Sequence, residues 1–71
     1  MTLGKLLLRR IRDYGMTQGE AAESIGIDRG YLCEIISGKC GAGIITRRKL
    51  CRGLDLAPEV LERAIMEEAW R

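Results

Sequence analysis

The side chains that could do chemistry in this sequence are concentrated between residues 29 and 37. Arg29, Cys33, Glu34 and Ser37 follow one another at steps of four, one and three residues, and such steps place side chains on one face of an α-helix. A guanidinium donates hydrogen bonds, a carboxylate accepts them, and a thiol or hydroxyl makes short polar contacts. These types suit recognition of a polar partner better than the making or breaking of covalent bonds.

The sequence lacks the residues on which most catalytic and metal sites depend. It has no histidine, which removes the commonest general base and every Ser–His or Cys–His arrangement. The three cysteines, Cys33, Cys40 and Cys51, form no C-x-x-C pair, whereas a structural zinc site needs four ligands. We therefore expect reduced thiols, no metal, no cofactor and no enzymatic activity. Redox sensing and metal binding by the thiols are the alternatives.

Length and charge describe a small domain whose charge is unevenly spread. With 71 residues, 46% of them hydrophobic, the chain predicts one folded domain over residues 1–71. Residues 1–57 carry ten basic and six acidic side chains, and residues 58–71 carry two basic and four acidic ones. This fits either ordinary solvated helix faces or a body that meets a polyanion. Without a long apolar run or a signal peptide, we expect a cytoplasmic protein with no membrane partner.

The hydrophobic pattern and the capping residues predict an all-α fold. Five helices are predicted, over about residues 3–14, 18–25, 29–37, 45–52 and 58–70. The predicted N-caps are Thr2, Thr17 and Asp28, and Glu20 completes a capping box with Thr17. The first four helices are predicted to end at Gly15, Gly26, Gly38 and Gly53.

Between the second and third predicted helices the chain stops one helix and starts another three residues later. Two helices joined by a tight turn need a small residue where they cross, a glycine-like turn, and apolar residues facing a shared core. The sequence meets these conditions with Ala21 and Ala22 at the crossing, Gly26 in the turn, and Leu32 and Ile35 towards the core. It therefore predicts a helix-turn-helix over about residues 17–38.

The segment MTQGEAAESIGIDRGYLCEIISGK, residues 16–39, resembles the helix-turn-helix of the Cro/C1-type (XRE) family of DNA-binding regulators. The segment KLCRGLDL, residues 49–56, is similar to the family's fourth helix and its exit. The resemblance implies a compact five-helix, lambda-repressor-like DNA-binding domain. In that geometry the second helix lies across the DNA backbone, and the third presents its N-terminal residues to base edges in the major groove.

Four residues of the third helix are expected to read bases. Arg29 could bind guanine O6 and N7 or hold a phosphate, and Glu34 could accept from cytosine N4 or pair with Arg29. Cys33 shares their face and is expected to make a short contact. Gly30 costs about 1 kcal/mol relative to alanine in an exposed helix, so either close approach to DNA compensates or the position is tolerated. Asp28 is expected to cap the helix rather than to read a base.

A second group of residues is expected to contact DNA phosphates. Gln18 resembles the family position that grips a phosphate through its amide and the helix N-terminus. Tyr31 is expected to be half-buried with its hydroxyl near a phosphate. The resemblance implies basic residues in the loop after the third helix, but this loop carries only one cation. Arginines of the fourth helix are therefore expected to take the place of the other basic residues. The predicted phosphate contacts are Gln18, Tyr31, Ser37, Lys39, Arg47 and Arg48.

The last predicted helix offers more apolar surface than packing on one small core requires. A terminal tryptophan near a methionine suggests a patch that a second copy covers, and the resemblance also implies dimers that read two half-sites about one helical turn apart. The alternative is that all of these residues pack inward. The residues predicted at the dimer interface are Leu61, Ile65, Met66 and Trp70.

The resemblance implies a sequence-specific, double-stranded-DNA-binding transcriptional regulator. We expect a homodimeric repressor that acts by occupying a palindromic operator, and contact with RNA polymerase or a partner protein stays open. The alternative is a protein-interaction module that keeps the fold but has lost DNA binding. Asp28, Gly30 and Glu34 on the reading face, together with the weakly basic loop, keep that alternative open.

Overall fold

The computed structural model describes residues 2–69, with side chains as far as residue 67. This part of the chain folds into five successive α-helices. They are α1 (Leu3–Asp13), α2 (Gln18–Ile25), α3 (Arg29–Ser37), α4 (Ile44–Gly53) and α5 (Pro58–Ala69). The residues so described contain no strand, which confirms the all-α prediction. Each predicted helix is present, and the observed ends lie within about one residue of the predicted ones.

The predicted N-caps each make the expected hydrogen bond. Thr2 Oγ1 accepts from the backbone N–H three residues along, at 3.2 Å. At the start of α2, Thr17 Oγ1 accepts from the Glu20 N–H at 3.1 Å, and Glu20 Oε1 accepts from the Thr17 N–H at 3.0 Å. Asp28 Oδ2 accepts from a backbone N–H in the first turn of α3 at 2.9 Å. These bonds satisfy donors that a helix start leaves without an intrahelical partner.

Three glycines end the first three helices in the left-handed backbone region. The φ angles are +66° at Gly15, +86° at Gly26 and +84° at Gly38, a conformation that a residue with a Cβ adopts only at a cost. Gly26 matters most, because it lets the chain leave α2 and reach the N-cap of α3 two residues later. The helix-turn-helix geometry therefore depends on this position.

Gly53 ends α4, as predicted, but without the positive φ of Gly15, Gly26 and Gly38. It is the last residue of α4, and Leu54 follows as the C-cap. A Cβ on Gly53 would lie 2.7 Å from Ile25 Cα and 3.0 Å from the Ser24 carbonyl oxygen. The glycine thus allows the end of α4 to approach the end of α2.

One core lies between the helices and receives side chains from all five. The pair Ala21 and Ala22 is buried on α2, as the crossing with α3 requires. The largest fully buried side chains are Leu7, Leu32, Ile35, Leu50, Leu54 and Leu61. α1 packs against α3 and α5, α2 packs against α3 and α4, and α4 packs against α5. None of the helices described is both long enough and apolar enough to cross a membrane.

Arg10 joins the first helix to the segment between α4 and α5. Its Nε donates to the Leu54 carbonyl oxygen at 3.0 Å and its Nη2 donates to the Asp55 carbonyl oxygen at 2.6 Å. Asp55 adopts a positive φ of 51°, so the guanidinium binds the backbone where α4 has ended and the chain turns towards α5. Contacts across 44 residues of sequence thereby fix the α4–α5 connection to α1.

Candidate nucleic-acid interface

α3 presents one exposed polar face and one buried apolar face. Leu32 and Ile35 lie in the core, and their burial fixes the rotation of the helix about its own axis. The opposite side is open to solvent and carries Arg29, Gly30, Cys33, Glu34 and Ser37. The four predicted base-reading residues therefore share a single exposed surface, which we call the α3 face.

Arg29 stands at the start of this face with its guanidinium unengaged. Its Cδ lies 3.7 Å from the position that a Cβ on Gly19 would occupy, so the stem of the side chain passes over the start of α2. Arg29 makes no ion pair with any residue that the structure describes. All five N–H donors of the guanidinium are thus free for a ligand.

Gly30 is explained by the cap of α3. Its N–H donates to Asp28 Oδ2 at 2.9 Å, and a Cβ at this position would lie 3.0 Å from the same oxygen. The absence of a side chain leaves room for the capping carboxylate. The expectation that Asp28 caps the helix is confirmed.

Gln18 and Cys33 connect the start of α2 to the α3 face. The Cys33 thiol donates to Gln18 Oε1 across 3.0 Å. Because the amide oxygen is occupied, the amide nitrogen of Gln18 is turned away from Cys33, and its two N–H groups have no acceptor within residues 2–67. The two N–H groups of this amide are therefore free to donate to a ligand.

Glu34 is held by the loop that follows α3 rather than by Arg29. The Cys40 thiol donates to Glu34 Oε2 at 3.1 Å, and the Glu34 carbonyl oxygen accepts from the Lys39 N–H at 2.9 Å and from the Ser37 hydroxyl at 3.1 Å. The hydrogen bond to Glu34 raises the pKa of the Cys40 thiol, with a further contribution from desolvation. The pairing of Glu34 with Arg29 is therefore not what the structure shows, and Glu34 Oε1 remains available as an acceptor.

Tyr31 lies half-buried between α3 and α4, as expected. Its hydroxyl is 3.3 Å from Thr46 Oγ1, a distance at which either oxygen can donate. This contact joins the middle of α3 to the first turn of α4. The predicted phosphate contact of Tyr31 stays a prediction.

Arg47 is engaged inside the chain, and its predicted phosphate contact stays a prediction. Its Nε donates to the Ala42 carbonyl oxygen at 2.9 Å, and its Nη1 lies 3.3 Å from Glu62 Oε1 in an ion pair. The side chain thus ties the loop before α4 to α5. Lys39 and Arg48, by contrast, are exposed and make no side-chain contact of this kind with the described residues.

Lys49 was not singled out by the sequence pattern, yet it lies at the turn of the helix-turn-helix. Its Nζ donates to the Gly26 carbonyl oxygen at 3.4 Å. The contact brings a cation from α4 to the C-terminal end of α2, where the helix dipole favours positive charge. No local signal marks this role, because the two residues are 23 positions apart.

None of the three cysteines, Cys33, Cys40 and Cys51, forms a disulfide in the described part of the chain. Desolvation, followed by the nearby carboxylates of Glu62 and Glu59, raises the pKa of Cys51. A raised pKa keeps a thiol in its protonated, less nucleophilic form at neutral pH. Cysteine, aspartate and glutamate side chains of the described residues form no group of three that could hold a metal ion.

The predicted dimer residues of α5 do not share one surface. Leu61 is only 1% exposed and belongs to the core of its own chain, so its assignment to a dimer interface is corrected. Ile65 is partly buried against the same core, whereas Met66 is 59% exposed. Trp70 lies outside the described residues. Only Met66 of this set is seen to offer exposed apolar surface.

Comparison of the sequence with models of protein families and with curated proteins finds no match.

Proposed function

We propose that this protein is a sequence-specific DNA-binding regulator that inserts α3 into the major groove of double-stranded DNA. We further propose that it acts as a homodimeric repressor of the Cro/C1 type by occupying a palindromic operator. The proposal makes α3 the recognition helix and α2 the helix that crosses the backbone.

The observation that carries this proposal is the α3 face. A helix that buries Leu32 and Ile35 and exposes a free arginine, a carboxylate and a thiol on its other side has the donors and acceptors that base edges require. A guanidinium matches guanine O6 and N7, and a carboxylate matches the cytosine amino group. Arg29 and Glu34 are the residues proposed for these two contacts.

The hydrogen bond between Cys33 and Gln18 supports the docking geometry. It places an amide with two free N–H groups at the start of α2, beside the proposed reading residues. Phosphate contacts of this kind set the register of a protein on the duplex, while base contacts select the sequence. Lys39 and Arg48 are the exposed cations proposed to engage further phosphates.

Direct measurement of duplex binding tests the proposal. The full chain is used to select DNA from a random duplex library, and its affinity for the selected site is measured at increasing salt by fluorescence anisotropy. We expect a selected palindrome and a logarithmic loss of affinity with salt, with a slope near −0.9 for each phosphate engaged. Selection of no sequence, with no measurable affinity in about 50 mM salt, would reject the proposal.

Arg29→Ala probes the reading role within the same experiment. Loss of a bidentate guanine contact should cost about 1–3 kcal/mol on the selected site and relax the preference at one base pair. Arg63→Ala is the matched control, because Arg63 is an exposed arginine on the acidic α5. Equal weakening on all sequences by Arg29→Ala would instead assign Arg29 to a phosphate.

A protein-interaction module of the same fold is the second candidate, and Glu34 is the observation that favours it. Its carboxylate stands on the α3 face with Cys40 as its hydrogen-bond donor, so the face keeps a negative charge where phosphates would approach. Glu34→Gln separates the two candidates. Removing the charge should change the selected base if Glu34 reads DNA.

A further inference from the structure

We infer that the groove between α2 and α4 is a docking surface for an acidic peptide segment of another protein. The groove has a volume of about 460 Å³ and lies where the end of α2 packs beside α4. The lining residues that matter here are Ile25, Ile45, Lys49 and Arg52, none of which belongs to the α3 face. This inference goes beyond the proposed function and does not rest on it.

One stripe of α4 forms a cationic wall of the groove. Ile45, Lys49 and Arg52 follow one another at steps of four and three residues, which places them on one side of the helix. Arg48 lies on the same stripe but is already proposed for a DNA phosphate, so Lys49 and Arg52 are the cations assigned to the peptide. No acidic side chain of the described residues lines the groove, and this wall is therefore positively charged.

Both cations have donors to spare. Lys49 Nζ donates to the Gly26 carbonyl oxygen at 3.4 Å, which leaves its other N–H groups for a ligand. Arg52 is exposed and makes no ion pair or side-chain hydrogen bond with any residue in 2–67. Hydrogen bonds from such cations are strongest when the acceptor is a carboxylate or a phosphate. An anionic partner is therefore the one that the wall favours.

An apolar side chain lies exposed within the same groove. Ile45 is 71% exposed, whereas Ile25, which lines the groove from α2, is buried. Covering Ile45 with an apolar side chain of a partner would remove apolar area from water. A DNA backbone offers charge but no such side chain. The groove is therefore better suited to a peptide that carries carboxylates beside an apolar residue.

The groove lies at the opposite end of α2 from the proposed phosphate contact. Gln18 begins this helix and Ile25 ends it. Because an α-helix rises 1.5 Å per residue, the two ends are about 10 Å apart. A peptide held beside Ile25 therefore leaves Gln18 and the α3 face open.

Peptide selection tests the inference without DNA. The full chain is immobilised and used to select from a random peptide library displayed on phage, and the selected peptides are synthesised with a fluorescent label. We expect them to combine aspartate or glutamate with leucine, isoleucine or phenylalanine. In fluorescence anisotropy, Ile45→Ser should weaken binding at least about tenfold through lost apolar contact. Arg52→Glu should do the same, because it places a like charge opposite the peptide.

Val60→Ser and Arg12→Glu are the matched controls. Val60 is an exposed apolar residue on α5 and Arg12 is an exposed cation on α1, and neither lines the groove. Peptide affinity should therefore be unchanged in both variants, and circular dichroism checks that every variant keeps its helices. Failure to select any peptide would overturn the inference. Selected peptides without acidic residues would also overturn it, and so would binding that neither Ile45→Ser nor Arg52→Glu weakens.

Other occupants of the groove give different results. Arg52→Ala should leave the slope of log duplex affinity against log salt unchanged, whereas a slope shallower by about 0.9 would assign Arg52 to a DNA phosphate. A second copy as the occupant would appear in sedimentation equilibrium as self-association that Ile45→Ser abolishes. Either result would overturn the inference. Peptide binding by a chain that binds no duplex would support the inference while rejecting the proposed function.

Discussion

At Gly4 the first turn of α1 lies directly against the backbone at the end of α3. A Cβ on Gly4 would lie 2.1 Å from the carbonyl oxygen of Ile36, which is backbone and cannot move aside independently. Gly4 is also buried in the first turn of α1. Packing of α1 against the end of α3 therefore requires a residue without a side chain at this position.

Gly4→Ala should destabilise the protein even though alanine is the better helix former. The added methyl group forces α1 and α3 apart, and overpacking of this kind costs about 1–3 kcal/mol. Urea unfolding followed by circular dichroism measures the change in the free energy of unfolding.

Gly41→Ala provides the comparison, because a Cβ at that exposed position meets no atom within 4 Å. We expect it to leave the free energy of unfolding nearly unchanged. Equal stability of the Gly4→Ala and Gly41→Ala variants would show that α1 and α3 can separate without cost.

Residues whose roles depend on near neighbours could be predicted from the sequence, and residues with distant partners could not. The exposure of the α3 face follows from helical periodicity, and the cap at Asp28 follows from its position before Arg29. Gly4 and Arg10, in contrast, owe their roles to atoms far away in the sequence. The same reason explains Arg47, whose type predicted a phosphate contact although its partners lie in the loop before α4 and on α5.

At the scale of the element, the capping box of α2 makes helix stability depend on pH. The backbone hydrogen bond from Thr17, followed by that with the Thr17 side chain, lowers the pKa of Glu20 below its ordinary value of 4.5. A carboxyl whose pKa is lower in the folded state stabilises that state above the unfolded-state pKa. The contribution is lost as the pH falls through the folded-state value.

Glu20→Gln should therefore differ from the unaltered chain in its pH profile. Glutamine keeps an acceptor for the Thr17 N–H but does not titrate. We expect the unaltered chain to lose stability relative to the variant as the pH falls below about 4.5, in urea unfolding between pH 7 and pH 3. The other carboxyls titrate in both proteins, so their contributions to the pH dependence of stability cancel in the comparison. A difference in stability that is the same at every pH would contradict this account of the cap.

Arg10 acts between elements, since it fastens α1 to the connection between α4 and α5. Arg10→Ala removes two hydrogen bonds to backbone carbonyl oxygens and a cation–π contact in which the guanidinium carbon lies 5.7 Å from the centre of the Tyr14 ring. Hydrogen bonds to charged groups contribute about 1.5–3 kcal/mol, so we expect a loss of about this size in the free energy of unfolding. Arg12→Ala, at an exposed position of the same helix, should have little effect, and a comparable loss in both variants would argue against the contact.

At the scale of the whole molecule, the fold decides which cations remain free for a polyanion. Residues 1–57 contain ten basic side chains, and the sequence alone does not show which of them have internal partners. The structure binds Arg10 and Arg47 to internal acceptors and leaves Arg29, Lys39 and Arg48 exposed without such contacts. The charge available to a partner is thus smaller than the composition suggests.

This division predicts that DNA affinity depends differently on salt in one lysine variant and one arginine variant. In the proposed complex, Lys39→Ala removes a phosphate contact, so the slope of log affinity against log salt should become shallower by about 0.9. Arg47→Ala should leave that slope unchanged, because its guanidinium binds Ala42 and Glu62 rather than a phosphate. It should instead lower the free energy of unfolding, by loosening the loop before α4 from α5.

Fluorescence anisotropy across a salt series measures the slopes, and urea unfolding measures the stabilities. A shallower slope for Arg47→Ala would mean that its internal contacts are exchanged for a phosphate on binding, and the loop before α4 would then have to rearrange at the DNA surface.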